Sequence, residues 1–157
     1  MANPISASQS KMYGMLSGFV VAAAEKMPEE NYAFRPTPEV RSFGQLVGHL
    51  ADSQYYFCSS VAGDKPSGGF EKSKTSKADL VAALKEAVAY CGKTYDAMTD
   101  AKGGEMIKVM NFELAKLAVL SANTAHDYEH YGNMVTYMRL KGIVPPTSEK
   151  SEGAKEK

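Results

Sequence analysis

Tryptophan is missing from the 157 residues, and the chain has only two cysteines and three histidines. Cys58 and Cys91 do not make the disulfide framework on which small secreted scaffolds depend. A chain of this length buries roughly 70% of its unfolded surface and needs no such staple. Each cysteine lies within a helical pattern and reads as a small buried apolar residue. An excess of charge of either sign is missing too: Lys+Arg and Asp+Glu are both 18, for a formal net charge of zero. The basic residues are scattered, which excludes the electrostatic footprint of a nucleic-acid binder. No basic segment precedes an apolar run at the N-terminus, so a secretory signal is not expected. The apolar run Phe19–Ala24 is far too short to span a bilayer. These absences predict a cytoplasmic protein with neither nucleic acid nor membrane as a partner.

What is present is helical periodicity. Met12, Leu16, Phe19, Val20, Ala23 and Met27 follow three-four spacing, which predicts a first helix from about Ser8 to Lys26, ended by Pro28. Gly14 and Gly18 read as a site of close helix packing. Ser42 with Gln45 has the form of a capping box. It opens a second helix with Phe43, Leu46, Val47, Leu50, Phe57 and Val61 on its apolar face and Gly63 as its stop. Residues 64–75 are polar and Gly-rich, and read as a surface connection. A third helix follows Ser76, carries Leu80, Leu84, Ala87, Val88, Cys91, Tyr95 and Met98, and is expected to end at Gly103-Gly104. Asn111 is expected to cap a fourth helix that runs to Lys141. No charge occurs from Leu117 to Ala125, so this helix reads as the central one, covered on most sides. No strand signal is convincing; the best candidate, Glu105–Met110, is short and can be a lone extended loop. The prediction is one all-α domain, a four-helix bundle over residues 1–146, with a polar, disordered tail over 147–157.

The three histidines carry the chemistry. His126 and His130 are four apart on one helix, which sets their Cβ atoms roughly 6 Å apart on one face. Two imidazoles so placed can both ligate one ion at about 2.0–2.1 Å. His49 lies at the flank of the second helix's apolar stripe and can supply a third nitrogen. A three-nitrogen set leaves a coordination position open for water or substrate. Asp52, Asp127 and Glu129 are candidates to accept an N–H bond from a ligating ring, although each taken singly reads sooner as a solvated helix charge. Asp127 and Glu129 adjoin His126 and His130 in sequence, so they point away from the histidine column. Tyr137 reads as a packing residue. The two paired Glu-x-x-His motifs of a di-iron bundle are missing, as are a Ser-His-Asp or Cys-His nucleophile set and a phosphate loop.

Three segments together resemble the DinB-like family of metal-binding four-helix bundles: Arg41–Asp52, His126–Gly132 and Tyr137–Pro146. The resemblance implies a DinB-like bundle whose metal ligands fall on His49, His126 and His130. It implies zinc, nickel or a similar divalent ion, and a homodimer. Position 43, often Trp in relatives, is Phe here. Some relatives have Glu as the first ligand of the pair, and this chain has His126. Relatives of known activity include metal-dependent thiol transferases and isomerases that use bacillithiol, mycothiol or glutathione. The implied function is therefore thiol transfer to an electrophilic substrate. A metal-dependent hydrolase and a non-catalytic metal- or small-ligand-binding bundle stand as alternatives. The homodimer is also suggested by Tyr13, Tyr55, Tyr56 and Phe70, which can exceed what one small bundle covers, although packing within the monomer explains them equally well.

Overall fold

Serine side chains start two of the four long helices. Ser42 caps α2 (Phe43–Ala62): its hydroxyl accepts from the Gln45 backbone N–H, and the Gln45 side chain accepts from the Ser42 N–H. Gly63, at φ 79, ends the helix in the left-handed region that glycine enters without a Cβ penalty. Ser76 caps α4 (Lys77–Asp96) by accepting from the Asp79 N–H. The first helix, α1 (Pro4–Lys26), begins earlier than its apolar spacing predicts, because Pro4 can open a helix without needing an N–H.

The computed structural model describes residues 2–149. Three further elements depart from the expected outline. Phe70–Ser73 form a short helix, α3, inside the segment read as a surface connection. The third long helix stops at Asp96, and Thr99 caps a separate turn, α5 (Asp100–Gly103). The strand candidate at Glu105–Met110 is one arm of a hairpin, and the expected helix cap, Asn111, lies in its turn. Strand β1 (Met106–Val109) pairs antiparallel with β2 (Phe112–Ala115), Val109 opposite Phe112. Met110 takes φ 54 at the turn. Asn suits tight turns as well as helix caps, so Asn111 misleads, and strands this short carry little periodic signal. The last long helix, α6 (Lys116–Leu140), therefore starts only after β2.

The long helices form an all-α, four-helix bundle. α2 packs on α4 and α6, and so does α1, which places α1 diagonal to α2 and α4 diagonal to α6. The last helix is thus a corner of the bundle, not its centre. Within its uncharged stretch Val119, Leu120, Asn123 and Thr124 are buried, while Ala118, Ser121, Ala122 and Ala125 face outward. Small uncharged residues expose little apolar area each, so absence of charge does not require burial. Gly14 and Gly18 are also exposed, and an added Cβ at either would meet nothing within 4 Å. They are not the helix contact that their spacing suggests.

Two apolar clusters fill the bundle. One joins Leu16, Val20 and Ala23 of α1 to Val47, Leu50, Leu84 and Met134. The other holds Tyr13, Tyr95, Val119 and Leu120, with the Tyr13 and Tyr95 rings stacked 4.0 Å apart. Cys58 and Cys91 are fully buried in the second cluster, as small apolar residues would be. They are also joined as a disulfide between α2 and α4, with Cα atoms 5.3 Å apart. That pairing corrects the sequence reading, because two helical cysteines 33 residues apart meet only when the helices pack.

Beyond α6, Pro146–Ser148 form a 3-10 turn. The Thr147 N–H donates to the Tyr131 hydroxyl, and Glu149 pairs with Lys26. Residues 150–157 of the predicted tail lie outside the described residues. No helix among the described residues is long and apolar enough to cross a membrane.

Candidate metal centre

α2 buries Phe43, Leu46, Val47 and Leu50 against the core, and this sets the helix's rotation. His49 then falls at the edge of the buried stripe, half-buried and facing α6. On α6 the same logic buries Asp127, Tyr131 and Met134, and it brings His126 and His130 to the edge that meets α2. The three imidazoles converge. His126 Nε2 lies 3.1 Å from His49 Nε2 and 3.0 Å from His130 Nε2. All three nitrogens lie within 4.8 Å of one another. Ligands about 2.0–2.1 Å from one tetrahedral ion stand roughly 3.3 Å apart, so the spacing suits a single small divalent ion. The donor set fits the metal that the sequence suggests, and among the described residues these three side chains form the group that can hold one.

The opposite ring nitrogens are supported unequally. His49 Nδ1 faces Glu71 Oε2 at 3.3 Å. His130 Nδ1 lies 3.3 Å from the Asn133 side-chain amide. His126 Nδ1 is buried with no protein partner among the described residues. Burial holds all three imidazoles below their ordinary range, His126 down to about 4. The His130 ring adds to the effect on His126. Arg41 and His126 add to the effect on His49, and Glu71 opposes it. For His130 the neighbouring His49 adds to burial. Neutral imidazoles are the form that a metal requires.

A cleft of about 270 Å³ opens beside the nitrogens, lined by His49, Asp52, Ser53, Tyr56, Phe57 and His126. Tyr56, Phe57 and the two imidazoles give it largely aromatic walls, and the Phe57 ring lies 5.9 Å from that of His126.

The candidate supporting carboxylates do other work. Asp52 accepts the Phe70 and Glu71 backbone N–H groups at 2.8 and 3.2 Å, and so caps α3. Asp127 points away from the histidines into the core, where both its oxygens accept from Gln54 Nε2 at 2.7 and 2.8 Å. Burial pushes its carboxyl up to about 7. Glu129 is exposed. Tyr137 packs, buried, and donates to the Arg41 carbonyl at 2.7 Å. The carboxylate that does meet a ligating ring, Glu71, lies in the segment whose composition reads as a polar connection. Nothing in its own neighbourhood marks it. The signal lies on α2, where Gly48 and Asp52 flank His49 and receive α3.

The sequence model of the DinB superfamily matches residues 20–134. Two solved structures of DinB-like proteins are similar in fold. One, from Bacillus cereus, has a TM-score of 0.80 at 14% identity over 93% of this chain and 98% of its own. The other, from Bacillus subtilis, has a TM-score of 0.75 at 20% identity over 92% and 99%. A conserved protein from Enterococcus faecalis has a TM-score of 0.71 at 16% identity over 87% and 96%. No curated protein matches the chain.

Proposed function

The chain belongs to the DinB superfamily, and on that premise we propose that it is a metal-dependent thiol transferase, with His49, His126 and His130 holding one zinc or nickel ion. The observation that carries the reading is the convergence of three Nε2 atoms beside an open cleft. The ion would supply Lewis acidity, lowering the pKa of a thiol or water at its open position. The chain supplies the rest. His49 presents a bare Nε2 lone pair when Glu71 accepts a hydrogen bond from its Nδ1–H, and His130 does so when the Asn133 amide, whose nitrogen faces Nδ1 here, turns to accept with its oxygen. Tyr56 and Phe57 offer an apolar wall for an electrophile and keep water from that side.

Thiol transfer is preferred over hydrolysis because water activation benefits from a carboxylate or imidazole free to take a proton. Of the cleft's residues, the one carboxylate, Asp52, is engaged by two backbone N–H groups, and Glu71 stands behind His49.

Two measurements test the proposal. Elemental analysis should find about one divalent ion per wild-type chain and none in the variant carrying His126→Ala and His130→Ala. Equal metal content in both removes these residues as ligands. The zinc- or nickel-loaded protein should then join bacillithiol, mycothiol or glutathione to an epoxide or aryl halide, and lose that activity with chelator. Metal binding without turnover across the whole panel leaves a non-catalytic binding bundle.

A further inference from the structure

We propose that Glu71 is a positioning residue for His49, and that α3 is built to present it. The inference rests on the metal-binding reading above, and it concerns which part of the chain aims the ligand.

A neutral imidazole carries one N–H. An ionised carboxylate only accepts, so Glu71 at His49 Nδ1 draws the proton there and leaves the Nε2 lone pair for the ion. The other Glu71 oxygen accepts from Arg41 Nε at 2.8 Å. Arg41 is held in turn, because its carbonyl accepts from the Tyr137 hydroxyl of α6. A line of contacts thus runs from Tyr137 through Arg41 and Glu71 to His49.

The seat of α3 is made on α2, around His49. Asp52, three residues after His49, holds the Phe70 and Glu71 N–H groups with its two oxygens. Gly48, just before His49, lets the two backbones meet: a Cβ there would stand 2.6 Å from the Glu71 Cα and 2.8 Å from its nitrogen. No flexible side chain could yield at that contact. Residues 48, 49 and 52 therefore present one face to α3. Of the three ligands, only His49 has a carboxylate behind it; His130 has a neutral amide, and His126 has no protein partner there among the described residues. The negative charge strengthens His49 as a donor and complements the cation it would bind.

The test is zinc affinity by competition with a chromophoric chelator, together with the visible spectrum of the cobalt-substituted protein. The proteins are wild type, Glu71→Gln, Glu71→Ala, Asp52→Ala and His130→Ala. Losing such an outer support typically weakens binding about 10–100-fold. Glu71→Ala should fall toward the weak end. Glu71→Gln, which keeps an acceptor oxygen, should recover part of the loss. Asp52→Ala, which leaves Glu71 itself in place, should weaken binding in the same direction. The cobalt spectrum should change in Glu71→Ala, while the metal-free melting temperature stays near wild type. Wild-type protein that binds no zinc removes the premise. Wild-type binding abolished by His130→Ala but within twofold of normal in Glu71→Ala overturns the role of Glu71 and leaves the metal site standing. A loss in Glu71→Ala matched by equal destabilisation of the metal-free protein, with no recovery in Glu71→Gln, also overturns it.

Discussion

At the residue scale, protons compete with the proposed metal. The three imidazoles are held below 6.5, His126 to about 4, mainly by burial. The unfolded chain takes up these protons near 6.5 and the folded chain only at lower pH. The histidine contribution to stability is therefore complete above about 6.5 and is lost as pH falls toward 4. Bound metal acts in the same direction, since each ligand must be neutral. Arg41 also faces the cluster and opposes protonation, while Glu71 and Glu129 favour it. At free zinc about a hundred times its dissociation constant, the gain is about 2.7 kcal/mol, or roughly 5–10 °C in melting temperature. Melts with zinc and with chelator should show that gap at pH 7.5, a much smaller one at pH 5, and none in His126→Ala. An equal gap at both pH values would rule out the histidines as ligands. Asp127 has the opposite sign. Its folded pKa, near 7, lies above the ordinary 3.8, so its contribution is complete below 3.8 and is lost as pH rises through 7. The metal-free melting temperature of Asp127→Asn, relative to wild type, should rise from pH 5 to about pH 7 and level off by pH 8. A constant difference across that range would show that Asp127 is ionised throughout.

At the scale of elements, the Cys58–Cys91 disulfide ties α2 to α4. In the chain-entropy account, closing a loop of 33 residues stabilises the fold by about 3–4 kcal/mol. Reduction under denaturing conditions, followed by refolding with reductant present, should lower the melting temperature accordingly. Cys58→Ser should show a similar loss and no further response to reductant. Two thiols alkylated in unreduced, unfolded protein would show that the bond is not formed. Such bonds are uncommon in the cytoplasm expected from the sequence, but both sulfurs are fully buried and reductants reach them only when the bundle opens.

At the scale of the whole molecule, the aromatics that suggested a dimer are mostly spent inside the monomer. Tyr13 is buried, and Tyr55 and Phe70 pack against the core, leaving Tyr56 partly exposed. The homodimer we propose rests instead on two neighbouring helices. α6 presents Ala118, Ser121, Ala122 and Ala125 outward, and α1 presents Met12 and Met15. A surface of small, uncharged residues lets two helices approach closely with little desolvation cost. Light scattering should give twice the 17.0 kDa chain mass. Ala122→Arg, which puts a charge on that surface, should shift the mass to the monomer. A monomer mass for wild type over a wide concentration range would refute the dimer.

Much of this was legible in the linear sequence. Three-four apolar spacing located the long helices, Ser42 with Gln45 marked the start of α2, and the four-residue step from His126 to His130 put two imidazoles on one face. These are local matters, set by helix geometry within a turn or two. Tertiary structure decided the rest, because each remaining feature joins residues distant along the chain. Packing of α2 on α6 brings His49 Nε2 to within 3.1 Å of His126 Nε2. Packing of α2 on α4 makes a disulfide of two cysteines that separately read as apolar filler. The seating of α3 on Gly48 and Asp52 turns Glu71 from a loop charge into the partner of His49. Periodicity states which face of a helix is buried, but not which helix buries it, and a site made between helices is determined by that second choice.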